Sequence, residues 1–278
     1  MMYNSRMISI RTIESLSHIQ KDLEEYSRDV ISQLNLEEEN YRELSVDVKF
    51  INSGSYFDKN GIMIERKKSD HNFSEQDWCE LLFKHELTHF LTSHIWGNPV
   101  ALFFEGIAVY VSDMKIRHKI LSTDYNKNAK ILIETNNYIP FEKILRSDQY
   151  LSRRTDFRCD TISGSFISFL VENYNLEKIK NVFEQSNIPT VKNPHLNINQ
   201  VCKKIFGKDI FALERQWMIW LSGNYVLGKV EVELFKSKIN FVNDLKKRCQ
   251  FCLWPNTMND KNICTHCHCD NSIQIVID

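Results

Sequence analysis

The chain has 278 residues, 42% of them hydrophobic and 12% aromatic, enough for the packed core of one large domain or of one domain with a small appendage. Lys and Arg total 35 against 36 Asp and Glu, a formal net charge of −1, so no global field holds nucleic acid or an anionic membrane. No stretch approaches the ~20 apolar residues that span a bilayer, and the N-terminus lacks the continuous apolar run of a secretory signal.

Apolar positions at helical spacing from Thr12 to Leu34 predict one amphipathic helix. Leu44 to Ile51 alternates and is rich in β-formers, a strand. Turn residues follow at 53–55 and 58–61, and Ile62 to Glu65 reads as a second short strand. Ser74 is placed to cap a helix from about Glu75 to Ser93. Gly97-Asn98-Pro99 interrupts the chain, and Pro99 suits the first turn of a helix continuing to about Lys119. Between Asp124 and Asp160 the pattern is one of short helices and loops. Thr161–Tyr174, Leu176–Gln185, Ile198–Phe206 and Ile210–Leu221 then read as four helices, with Asn175 and Gly207 as turn residues at two of the ends. Gly223 to Glu233 reads as an extended linker.

Inside the helix from Glu75, His85-Glu86-Leu87-Thr88-His89 forms H-E-x-x-H. The i, i+4 spacing stacks both imidazoles on one face, about 6 Å apart along the axis. So placed they can share one zinc ion, while Glu86, one step round the helix, reaches a water on that metal as general base. A catalytic zinc needs a third ligand. Glu105 stands in the apolar run Leu102-Phe103-Phe104-Glu105-Gly106-Ile107-Ala108-Val109-Tyr110, where a carboxylate needs a partner and a metal is a good one. A fold-back at Gly97–Pro99 would aim it at the zinc, with Gly106 and Ala108 permitting close helix approach. The bland alternative is two surface histidines beside surface carboxylates. His94, five residues after His89, is expected at the helix end, near the C-terminal dipole.

These motifs, carried by His85, Glu86, His89, Glu105, Gly106, Ala108 and Tyr110, resemble those of the gluzincin (peptidase MA-like) zinc metallopeptidases. More diffusely, Ser163 to Leu170 and the helices through Trp217 look like the helical half of that group. The resemblance implies an α+β, zincin-like domain over about 1–230, with a small strand layer, a mostly helical C-terminal half, and Zn2+-dependent hydrolysis of a polypeptide. Only 15 residues, 90 to 104, separate His89 from Glu105, fewer than in aminopeptidase N-type members. The segment with which those members clamp a substrate amino terminus is missing, its strand reading Ile62 to Arg66, so internal cleavage is expected. That strand is expected to offer an edge to an extended substrate. Tyr150 is a candidate transition-state stabiliser, alongside His118, Arg153 and Arg154.

Eight cysteines are present, five of them between 249 and 269. Cys249-x-x-Cys252 and Cys264-x-x-Cys267 have the spacing of two knuckles on one tetrahedral structural zinc. Residues 231–278 thus form a linker and a zinc-ribbon module, too poor in apolar residues to fold unaided. His266, His268 and Cys269 are alternative ligands, and unpaired thiols in a tail are the alternative to a ribbon. The ribbon is a candidate surface for a protein or nucleic-acid partner. Clustered cysteines without an export signal point to a reducing cytoplasm. Two other readings stand beside the peptidase: a DNA-associated protease resembling the SprT-like group, which usually takes a third histidine, and a non-catalytic zinc-binding interaction module.

Overall fold

The computed structural model describes residues 8–12, 19–51, 55–58, 61–65, 75–112, 124–145, 157–186, 194–229 and 232–233. The expectations that fall on Tyr150, His118, Arg153 and Arg154, on Cys249, Cys252, Cys264 and Cys267, and on His266, His268 and Cys269 lie outside these residues.

The fold is α+β, mostly helical with one small mixed sheet. Strand β1 (Ser9–Thr12) pairs in parallel with β2 (Ser45–Ile51), which pairs in parallel with β4 (Gly61–Glu65), and β3 (Tyr56–Phe57) closes the far edge antiparallel to β4. The register sets Val48 opposite Ile62, and the alternating Val46, Val48, Ile62 and Ile64 all enter the core. Helix α1 (Gln20–Gln33) and α3 (Glu75–Ile95) pack together, and α3 also packs on β3 and β4; a one-turn α2 (Glu38–Tyr41) links α1 to β2.

Helix α4 (Ala101–Ser112) joins this half to a helical half of α5 (Tyr125–Glu134), α6 (Phe141–Ile144), α7 (Phe157–Tyr174), α8 (Leu176–Gln185), α9 (Pro194–Phe206) and α10 (Ile210–Asn224). Trp217 is fully buried at its centre, stacked on Phe141 and edge-on to Phe166, and its indole N–H donates to Ser165 Oγ at 3.0 Å. Such aromatic clusters bury much area per residue while satisfying the one polar tip. Helices α7 and α9 end at Asn175 (φ +75°) and Gly207 (φ +73°), as their turn chemistry predicts.

Four expectations are corrected. The single helix over 12–34 is instead a strand through Thr12 and a helix from Gln20: Ile10 and Thr12 hold their register against Val46 and Val48. Helices α7 and α9 begin at Phe157 and Pro194, a turn before the apolar periodicity becomes visible, and α10 runs to Asn224, so Gly223 is helical rather than linker. Helix α4 begins at Ala101, two residues past Pro99. Lastly, β4 is interior, since Ile62 and Met63 face Phe57 and Tyr56 of β3 across the sheet; among the described residues the edge strands are β1 and β3. Two residues are too few to show alternation, which is why the sequence leaves Tyr56 and Phe57 unassigned between two turns.

Candidate metal centre

Helix α3 is buried nearly all round between Leu81 and Thr92, polar residues included. Leu81, Leu82, Phe83, Leu87, Phe90 and Leu91 are buried. Its buried hydroxyls are satisfied locally: Thr88 Oγ1 donates to Lys84 O at 2.7 Å and Thr92 Oγ1 to Thr88 O at 2.8 Å. His85, Glu86 and His89 are buried with them, at 7%, 7% and 3% exposure.

The chain then reverses in a short span. Trp96 N–H and Gly97 N–H both donate to Thr92 O, and Gly97 takes φ +113°, a left-handed conformation that favours glycine. Ser93 Oγ donates to Asn98 Oδ1 at 2.7 Å across the turn, and Phe103 and Phe104 N–H donate to Val100 O as α4 starts. The reversal brings Glu105 back to the histidine pair.

Glu105 Oε2 lies 3.2 Å from His89 Nε2 and 3.4 Å from His85 Nε2, and the two Nε2 atoms are 3.1 Å apart. Three donor atoms thus form a nearly equilateral triangle. A tetrahedral ion with bonds of ~2.0–2.1 Å would set its ligands ~3.3 Å apart, so the triangle has the size of one face of a zinc coordination sphere. One proton can bridge one pair of these lone-pair donors; a metal ion satisfies all three. The donor set, two imidazoles and a carboxylate, is chemically suited to zinc, and these three residues form a group able to hold a metal ion. With Nε2 of each imidazole turned to the centre, the ring proton belongs on Nδ1. Burial alone would raise the Glu105 pKa, but when the imidazoles are protonated, the charge on His89 and Nε2–H donation from both rings outweigh it and hold the carboxyl well below its usual range.

Adjacent residues of α4 face different ways. Glu105 turns to α3, whereas a Cβ on Gly106 would come within 2.7 Å of Ser163 O and of Ile167 on α7. The small residue therefore admits α7 rather than α3.

His94 stays apart: exposed in the last turn of α3, its Nδ1 is 2.7 Å from Phe90 O and its ring lies over Phe90. Two residues unremarked as site elements in the sequence stand beside His89. Its ring stacks on Phe104 at 4.2 Å and 24°, and faces Phe57 of β3 at 5.6 Å and 25°. Phe104 was visible as the residue before Glu105, but nothing local in the sequence marks Phe57.

Behind the site, Lys84 Nζ donates to Asp29 Oδ2 at 2.6 Å and to Glu80 Oε1 at 2.7 Å, pinning α1 to the residue before His85. Burial works against both charges, yet these hydrogen bonds outweigh it: the Asp29 pKa is lowered and the Lys84 pKa raised. Among the described residues no helix is long and apolar enough to cross a membrane. Comparisons with protein-family models, with curated proteins and with solved structures find no match for this chain.

Proposed function

We propose that the chain is a zinc-dependent endopeptidase of the gluzincin kind, with a zincin-like catalytic domain over about 1–230. The observation that carries this reading is the convergence of His85, His89 and Glu105, drawn from two helices, on one point with zinc-sized separations. His85, His89 and Glu105 are the residues that would hold Zn2+; bound there, zinc supplies Lewis acidity toward a carbonyl oxygen and toward water.

The chain's own residues do the rest. Glu86, buried on the same helix one residue after His85, accepts the proton of the attacking water on its carboxylate and returns it to the leaving amine. Glu105 contributes the negative charge that a neutral histidine pair lacks. Phe57 and Phe104 cover the His89 ring with apolar surface, which strengthens charge interactions beside it. An extended polypeptide would pair along β3, an edge strand among the described residues.

Glu105 as third donor favours this reading over the SprT-like one, which calls on a third histidine. The internal mode of cleavage rests on the edge strand β3, whose two residues, Tyr56 and Phe57, include no acid. A cationic amino terminus brought there would shed its water without a dependable counter-charge. A structural zinc on Cys249, Cys252, Cys264 and Cys267, and a cytoplasmic setting, complete the proposal.

The test compares free and N-acetylated forms of one cleaved peptide by mass spectrometry, with and without chelator. Equal internal cleavage of both forms, abolished by chelator and restored by zinc, is expected. Stepwise loss of single residues from the free form alone would make the chain an aminopeptidase, and chelator-insensitive cleavage would remove zinc from the reaction.

A further inference from the structure

Phe57, Phe104 and His89 come from three elements, β3, α4 and α3, and meet in one cluster: besides the two contacts to His89, the phenylalanine rings lie 6.0 Å apart at 49°. Neighbouring core phenylalanines are sealed, with Phe83 and Phe103 at 0% and Phe90 at 2% exposure. Phe57 and Phe104 are not; each keeps part of its surface in solvent. An aromatic wall half-open beside a metal-ligand imidazole is more than the rim of a core.

The strand that carries Phe57 gives this wall a direction. Among the described residues β3 is an edge strand of the sheet, and successive residues of a strand face opposite ways. Tyr56, at 47% exposure, faces away, while Phe57 faces the metal helix. An extended peptide paired along this edge alternates in the same fashion, so one of its side chains falls on the Phe57 face, next to His89.

We infer that Phe57 and Phe104 form the subsite for an apolar, preferentially aromatic, side chain flanking the cleaved bond. This rests on the peptidase reading above. An apolar side chain there removes its own surface and that of two rings from water, and an aromatic one adds ring–ring contact. A charged side chain would lose its water against two rings that offer it no counter-charge. Of the acids nearby, Glu105 already faces both imidazoles, Glu86 is buried on α3, and Asp58 accepts the Gly61 N–H at 3.0 Å.

The experiment uses the full, zinc-loaded chain and a set of N-acetylated, C-amidated peptides built on one that is cleaved, with Phe, Leu, Ala or Asp at each position flanking the scissile bond. At one of these positions Phe and Leu should exceed Ala and Asp by roughly tenfold or more in kcat/KM. Phe57→Ala and Phe104→Ala should each bring that ratio toward one, and Phe57→Leu should keep most of it. Zinc content of every variant separates lost selectivity from lost metal. A second readout needs no turnover: the Glu86→Gln protein should bind a fluorescent Phe peptide roughly tenfold more tightly than its Ala counterpart. Equal rates across the set, or a preference untouched by both alanine variants, overturns the subsite and leaves the peptidase reading standing. Cleavage that Glu86→Gln leaves at the wild-type rate, with the Phe-over-Ala binding order intact, overturns the peptidase reading and keeps the apolar subsite.

Discussion

Helices α3 and α7 are the two long helices that flank α4, and both carry polar side chains into the interior, yet to opposite ends. In α3, His85 and His89 point at one place, where a carboxylate from α4 joins them. In α7, Thr161, Ser163 and Ser165 are just as buried, but they are small, and the contacts they serve are those of packing. Ser165 accepts the Trp217 N–H, Ser163 presents its carbonyl to Gly106, and Gly164 leaves room for Val109. Hence α4 is the hinge of the comparison, with Glu105 turned to the histidine pair and Gly106 to close packing. Burial of polar groups does not by itself mark a site; convergence of like lone pairs does, because only a cation stabilises it.

The comparison predicts that changes in α3 and α7 separate activity from stability. Glu86→Gln should reduce peptide hydrolysis by about 10²–10⁴-fold, with metal content intact and the unfolding midpoint unchanged or raised, since a buried charge is replaced by an isosteric neutral amide. Elemental analysis and thermal unfolding on the same preparation check it; a variant that loses its metal instead would make Glu86 a ligand.

Gly106→Ala should destabilise by about 1–3 kcal/mol, because the added methyl meets the Ser163 backbone and the Ile167 side chain at 2.7 Å. Urea unfolding measures the loss. A neutral result would mean that α4 and α7 are less closely packed than described. Ser165→Ala is expected to cost roughly 1 kcal/mol by leaving the Trp217 N–H without its acceptor, with catalysis at wild-type rate once folded.

Sequence spacing alone reveals the α3 side of this comparison and little of the α7 side. H-E-x-x-H encodes its own geometry, since i, i+4 residues share a helix face, and Gly97 to Pro99 announces the reversal that returns Glu105. The partner of Gly106 is not legible, because a glycine within a helix does not say which neighbour comes close. Phe57 is not legible either: its place beside His89 depends on a two-residue strand with no period of its own. Strand β1 is hidden for a related reason, as Ile10 and Thr12 sit just ahead of a strong helical pattern that absorbs them.

The smallest effect concerns the support behind α3. The Asp29 carboxyl is held below its ordinary range in the folded chain, so its contribution is present above the unfolded carboxyl value of ~4 and fades as pH falls through the folded one. Asp29→Asn should therefore flatten the acid limb of the stability curve. The side chain is 44% exposed, which limits the effect to under ~1 kcal/mol. Equal steepness below pH 4 in variant and wild type would show that the Lys84 contact contributes nothing measurable.

The central claim, that His85, His89 and Glu105 hold one zinc and the C-terminal cysteines another, is tested most directly by counting zinc per protomer in purified protein. The expected value is two for the wild type, one for His85→Ala and one for a Cys249→Ser, Cys252→Ser double variant. A wild-type count unchanged by His85→Ala would contradict the account at its root.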